Sequence, residues 1–208
     1  MSEAADAAAP EPVADLLAGT GFGVVPRFLD DALVPTLVAD MDRRDAAGEF
    51  RAAAVGAGDG RAVRSAIRGD RIRWLTMAGS EAERRVLARF ETLRVALNRD
   101  LMLGLADFEC HYAIYEPGAR YARHLDRSPK GAERVVSVVL YLNETWQPGD
   151  GGELLLATPA GEVRIEPRAG TLVAFLSQSF EHEVLPAVRP RRSLTGWFRL
   201  RPVFGPPV

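Results

Sequence analysis

In the stretch YARHLDRSPKG, residues 121 to 131, a histidine and an aspartate stand two positions apart, His124 and Asp126. The chain has only three histidines. Residues two apart on a strand point to the same side, so this pair can face one metal ion. A single histidine follows it, His182 in SFEHEVLP, at the start of another strand-like run. Two imidazoles and one carboxylate on one face of an octahedral ion make a non-haem Fe(II) site, with open positions for a cosubstrate and dioxygen. Taken alone, a His-x-Asp pair is a weak signal that chance produces often. His111 has only Glu109 beside it among ligand types, and a structural role is expected for it.

The segment after His182 strengthens the metal reading. It runs HEVLPAVRPRRSLTGWFRL. If the run through RSLTGWF is a strand, Arg191, Ser193, Thr195 and Trp197 share one face. An arginine pointing inward needs an anionic partner, because an unpaired buried charge is costly. A dicarboxylate cosubstrate supplies one, and the planar guanidinium fork matches a carboxylate. In the earlier strand VVSVVLYL, Tyr141 shares a face with Val139 and Ser137, and its hydroxyl can reach the same carboxylate. A half-buried strand tyrosine with its hydroxyl in water is the plainer alternative.

These residues need a scaffold. Residues 1–11 are rich in Ala, Pro and acid and read as a disordered tail. A short helix is expected over residues 12–17, closed by Gly19 or Gly21, followed by a strand in GFGVVPRFL. Asp30 or Asp31 can cap a second helix reaching about Ala47, with Leu33, Leu37, Val38 and Met41 at helical spacing. Pro35 falls in its first turn, where proline is tolerated. The glycine-rich residues 55–70 read as a long loop. RIRWL reads as a strand. The run from Ser80 reads as the strongest helix, with a capping box between Ser80 and Glu83 and a stripe of Val86, Leu87, Phe90, Leu93 and Leu97.

From Asp107 onward, short apolar runs alternate with Gly and Pro, and helical periodicity disappears. Many short strands between turn signals indicate a sandwich, barrel or jelly roll. The reading is an α+β chain in one domain over 12–208. Its helical and mixed part covers 12–106, and its β-roll core covers 107–202.

The 208 residues are ample for one core, and 47% hydrophobic with 26% charged is ordinary for a globular protein. A net charge of −2 gives no strong field for nucleic acid or an anionic membrane. With one cysteine, Cys110, no disulfide within the chain and no cysteine-based zinc site can form, which fits a reducing compartment. No signal pattern opens the chain, and no apolar run reaches the ~18 residues that span a bilayer, so a cytoplasmic protein is expected. Of 26 basic residues only Lys130 is lysine, so a fixed cation here is almost always arginine.

The combination resembles the 2-oxoglutarate- and Fe(II)-dependent oxygenases of the double-stranded β-helix (jelly-roll, cupin-like) fold. Within them it looks like the prolyl 4-hydroxylases of the hypoxia-inducible-factor type and their bacterial relatives. The resemblance rests on IRGDRIRW at 67–74, YEPGARYARHLD at 115–126, RVVSVVLYLNETW at 134–146, GGELLL at 151–156 and HEVLPAVRPRRSLTGWF at 182–198. It implies N-terminal helices packed on the outer sheet. It also implies Fe(II) on His124, Asp126 and His182, with 2-oxoglutarate held by Arg191, Tyr141, Tyr115 and Thr195. Trp197, Arg134 and Trp74 match positions near a target proline, and Arg68 and Asp70 stand at the base of a loop closing over a peptide. An arginine nine residues past the last histidine, where collagen-type enzymes carry lysine, favours the hypoxia-factor-like branch. Trp197 stands where nucleic-acid demethylating relatives carry a second arginine, which speaks against nucleic acid as substrate.

The resemblance therefore implies hydroxylation of a proline in an intracellular protein, such as a translation factor, by a monomer or homodimer. O2 and 2-oxoglutarate would be consumed to give hydroxyproline, succinate and CO2, with ascorbate as a reductant. Two alternatives stay open: an oxygenase acting on a free amino acid or small metabolite, and a non-catalytic sensor of 2-oxoglutarate or oxygen.

Overall fold

The computed structural model describes residues 11–54, 67–126 and 134–201. The expected tail lies outside these residues, apart from residue 11, which opens the first helix. The expected loop over 55–70 lies outside them except for its last four residues.

Three helices form on the amphipathic runs: α1 (Glu11–Thr20), α2 (Leu33–Ala46) and α3 (Glu81–Leu101). α1 closes with the Gly21 N–H on the Leu17 carbonyl, 3.0 Å. α2 starts later than Asp30, but that aspartate still serves it, its Oδ1 accepting the Leu33 N–H at 2.7 Å. Ser80 caps α3, its hydroxyl accepting the Glu83 N–H at 3.2 Å. The other half of the expected capping box is diverted. Glu83 is fully buried and its carboxylate takes Arg73 at 2.9 Å and Arg44 at 2.8 Å, linking α3 to the strand Asp70–Trp74 and to α2. Two cations in a buried spot outcompete one backbone N–H for a carboxylate.

The described residues form eleven strands, in chain order: β1 (Phe22–Val25), β2 (Arg51–Ala52), β3 (Asp70–Trp74), β4 (Leu105–Tyr115), β5 (Tyr121–His124), β6 (Arg134–Tyr141), β7 (Leu154–Thr158), β8 (Gly161–Ile165), β9 (Leu172–Leu176), β10 (His182–Val184) and β11 (Arg191–Leu200). They build a seven-stranded sheet, β1-β9-β6-β11-β4-β3-β2, and a four-stranded sheet, β5-β10-β7-β8. All the strand pairs are antiparallel. β1, β2 and β3 come from the part read as helical or mixed, and they extend the larger sheet at both edges. This is the double-stranded β-helix architecture, with helices on the outer sheet.

Strand periodicity sorts the side chains into two cores. Toward the helices point Tyr112 and Ile114 of β4, Val136, Val138 and Leu140 of β6, and Leu194 and Phe198 of β11, packing with Leu37, Met41, Val86, Phe90, Leu93 and Leu97. Each such fully buried side chain contributes about 1.5–3 kcal/mol. Toward the second sheet point Ala113, Tyr115, Val139 and Tyr141, packing with Leu154, Leu156, Phe175 and Val184. Gly196 on β11 faces the helical core. A Cβ there would lie 2.5 Å from Phe108 Cζ, 2.7 Å from Cys110 Cβ and 2.8 Å from the Glu109 carbonyl, so the strand accepts no side chain at that point. Among the described residues no helix is long and apolar enough to cross a membrane.

Candidate metal centre

His124 ends β5 and His182 opens β10, and the antiparallel register sets the two directly opposite. Their ring centroids are 4.2 Å apart. Each Nδ1 turns to a backbone carbonyl two residues earlier, Ala122 at 2.8 Å and Phe180 at 3.2 Å. With the proton held there, both Nε2 atoms keep their lone pairs for a metal. Asp126 completes the group: its Oδ1 lies 3.7 Å from His124 Nε2 and its Oδ2 3.7 Å from His182 Nε2. All three ligand atoms lie within 4.8 Å of one another. Ligands about 2.1 Å from an octahedral ion stand roughly 3 Å apart, so a small contraction suffices.

The electrostatics suit a cation. Burial works to raise the Asp126 pKa, but His124, His182 and Ser137 outweigh it and hold the carboxyl well below the usual carboxylate range. Burial lowers the pKa of His182, with Asp126 opposing, so the ring favours its neutral, ligating form. Tyr121 stacks on His124 with centroids 3.7 Å apart, and Phe175 packs on His182 at 4.7 Å. Both rings fix the orientation of a ligand.

The triad opens into a pocket of about 540 Å³, its mouth included, which Arg191, Tyr115, Thr195, Trp197, Arg134 and Arg68 also line. Arg191 is 1% exposed. Its Nε donates to the Gly152 carbonyl at 2.8 Å and its Nη1 lies 3.4 Å from Ser193 Oγ. Gly152 is itself confined: its φ is +69°, and a Cβ would approach Arg191 Cδ at 3.2 Å and Trp146 at 3.1 Å. Arg191 Nη2 has no partner among the described residues, and neither does the Tyr141 hydroxyl. The guanidinium lies 5.1 Å from the Tyr141 ring and 5.2 Å from the Tyr115 ring. Burial pushes the Tyr141 phenol up to about 12, against the pull of Arg191, so it stays a neutral donor. A buried cation and a buried hydroxyl, both unpaired, are costly unless an anion joins them. The residues therefore fit a carboxylate ligand as well as a metal.

Residues 110–199 match the profile of the 2OG-Fe(II) oxygenase superfamily. A prolyl-4-hydroxylase of Pseudomonas putida is 51% identical with a TM-score of 0.84, over 91% of this chain and 98% of that one. The chain belongs to the 2OG-Fe(II) oxygenase superfamily. A prolyl hydroxylase from Trichoplax adhaerens, solved with a hypoxia-inducible-factor peptide fragment, is 28% identical with a TM-score of 0.81, over 91% of this chain and 88% of that one. A PKHD-type hydroxylase of Maricaulis maris is 31% identical over 123 residues, 54% of this chain. The match spans about half, 55%, of that relative's length.

In this 2OG-Fe(II) oxygenase the remaining expected residues divide. Arg134 lines the pocket mouth, stacks on the Trp197 ring at 3.6 Å and pairs with Glu109 at 3.0 Å. Trp74 is 42% exposed, stands edge-on to His111 at 5.1 Å and lies 6.4 Å from Trp197, outside the lining. Asp70 is also outside the lining. It is buried and holds Arg68 through two bonds of 2.7 and 2.9 Å. Arg68, on the lining, packs on Tyr121 at 4.8 Å. His111 is buried between Trp74 and Trp197, in keeping with its expected structural role.

Ser137 carries no functional reading from the sequence, and Trp197 carries only one beside the substrate. Ser137 and Trp197 both donate to Asp126 Oδ2, at 2.7 and 2.8 Å. A lone serine on the inward face of the apolar strand VVSVVLYL is the signal that could have found the first. Asn143 and Trp146, the motif YLN-x-x-W, serve the scaffold. Asn143 accepts the Arg192 N–H at 2.7 Å, and Trp146 donates to the Gly151 carbonyl at 3.0 Å, beside the Arg191 anchor.

Proposed function

We propose that this chain is a prolyl 4-hydroxylase acting on a proline within a protein or peptide. The observation that carries the reading is one pocket with two ends: a His-Asp-His triad at one, and at the other the buried Arg191, whose Nη2 has no partner among the described residues. Fe(II) would sit on His124, Asp126 and His182, and the distal carboxylate of 2-oxoglutarate on Arg191 and the Tyr141 hydroxyl. Bound together there, iron and 2-oxoglutarate supply the oxidising power: O2 is consumed, the keto acid becomes succinate and CO2, and one oxygen atom enters the C–H bond of the proline ring.

The chain's own residues do the rest. The two backbone-bonded imidazoles keep one tautomer, so the metal meets fixed ligands. Arg191 and Tyr141 fix the far end of the cosubstrate and thereby orient its keto end. Tyr115 and Thr195 close the sides of the cosubstrate channel. Trp197, Arg134 and Arg68 form the wall at the mouth that faces a peptide, with Trp74 further out. Near-full-length similarity to a bacterial prolyl-4-hydroxylase supports proline as the target. A cytoplasmic protein substrate and ascorbate as reductant complete the proposal.

The test is succinate release from 2-oxoglutarate under air with Fe(II), with and without proline-containing bacterial peptides. The expected result is peptide-stimulated succinate and a peptide heavier by one oxygen on proline. Succinate without peptide dependence would move the substrate to a free amino acid or small metabolite. Iron binding without any succinate would move the protein to a sensor.

A further inference from the structure

Asp126 offers two oxygens, and their surroundings differ. Oδ2 accepts from the Ser137 hydroxyl at 2.7 Å and from the Trp197 indole N–H at 2.8 Å. These donors are neighbours by construction, because Trp197 on β11 pairs directly with Ser137 on β6. Both are buried, Ser137 at 1% and Trp197 at 4% exposure. Ser177, fully buried, lies 2.9 Å from Ser137 Oγ, so with the Ser137 proton on Asp126 the Ser177 hydroxyl donates to it. Each carboxylate oxygen has two lone pairs, so two donors fill Oδ2. Each oxygen faces one imidazole, Oδ1 His124 Nε2 and Oδ2 His182 Nε2, both at 3.7 Å, but among the described residues Oδ1 accepts from no further donor, whereas Oδ2 carries two.

We propose that Trp197 and Ser137 are positioning residues which together occupy Oδ2 of Asp126 and present Oδ1 alone to the metal. This rests on the Fe(II) reading of the triad and adds to it a role for Trp197 distinct from the substrate wall. The indole then has two duties. Its edge holds a metal ligand, while its face carries the Arg134 guanidinium at 3.6 Å.

The metal-free protein would be titrated with Mn(II) by calorimetry, and the bound Mn(II) read by electron paramagnetic resonance. Four variants are compared with the parent: Trp197→Phe, Ser137→Ala, Ser137→Thr and His124→Ala. Trp197→Phe and Ser137→Ala should each weaken Mn(II) roughly tenfold or more and change the resonance, since the carboxylate is freed to rotate. Ser137→Thr keeps the hydroxyl and suits a strand, so it should restore parental affinity and spectrum. Thermal unfolding of each metal-free variant separates loss of the fold from loss of the clamp, and Ser137→Ala stands as the test if Trp197→Phe does not fold. Parental affinity and spectrum in a folded Ser137→Ala or Trp197→Phe protein would overturn the clamp. Undiminished Mn(II) binding by His124→Ala would instead overturn the metal site itself.

Discussion

Arg191 and Tyr141 lie against each other in the interior, the guanidinium 5.1 Å from the phenol ring, and each ends in a polar atom without a partner among the described residues. Such an arrangement is stable only at a cost, which a dicarboxylate removes on binding. Under anaerobic conditions, 2-oxoglutarate at about 100 times its Kd should stabilise the Fe(II)-loaded parent by about 2.7 kcal/mol. For a chain of this size that is roughly 5–10 °C in Tm. Arg191→Met should abolish this shift while the metal-free protein melts no lower than the parent, as followed by thermal denaturation. A full shift in Arg191→Met would remove the guanidinium from the cosubstrate site.

Tyr141→Phe deletes a buried hydroxyl that has no partner among the described residues. Stability of the ligand-free protein should change little. A hydrogen bond to a charged group contributes about 1.5–3 kcal/mol, so calorimetry should show 2-oxoglutarate binding roughly 10- to 100-fold weaker. Unchanged affinity would place the carboxylate elsewhere.

His111 links stability to pH. Burial, with the Arg68 cation nearby, lowers its pKa from 6.5 to about 4. Between these values the unfolded chain binds more protons than the folded one, so stability rises with pH and is lost as pH falls from 6.5 toward 4. The full window is worth about 3 kcal/mol, at about 1.4 kcal/mol per unit. Urea midpoints at pH 7 and pH 5 should therefore fall more steeply for the parent than for His111→Gln, by about 2 kcal/mol over that interval. Equal slopes would mean that His111 is free to take a proton in the folded protein.

In the Arg68–Asp70 pair the carboxylate is fully buried and the guanidinium half-buried, at 0% and 13% side-chain exposure. Removing one partner leaves the other charge stranded, which costs about 3–5 kcal/mol. Arg68→Met and Asp70→Leu should each be strongly destabilising in urea, while the double variant should cost less than the two added together. Additive losses would show that the pair does not act as a unit.

Alternation put Arg191, Thr195 and Trp197 on one face of β11; His124 and Asp126 do meet, but β5 ends at His124 and Asp126 comes from the segment beyond it rather than from strand alternation. Alternation also assigned Tyr141 to the face that meets Arg191. What it could not supply was partnership. A periodic pattern does not say that β3 joins β4 and β2 at a sheet edge, because strand neighbours are set by tertiary contacts. Glu83 reads as half of a capping box, yet two arginines from α2 and β3 claim its carboxylate. Trp197 reads as a substrate contact, while the direction of its indole N–H depends on where Asp126 ends up. Asp70 sits at the expected loop base but is sealed beneath Arg68, a matter of burial that local sequence does not encode.

Gly196 acquires a wider meaning from this geometry. A slip of β11 by one residue would send Arg192 and Leu194 into the pocket and Arg191 and Trp197 into the helical core. Gly196, wedged where Phe108, Cys110 and the Glu109 carbonyl leave no room for a Cβ, fits in one alignment only. It works as a proofreading notch, since any neighbour slid into its place would collide. Any side chain in that notch collides with the helical core, and relief by movement of β11 shifts the strand that carries Arg191 and Trp197. The quality of the active centre is then decided on the side of the strand that never meets it.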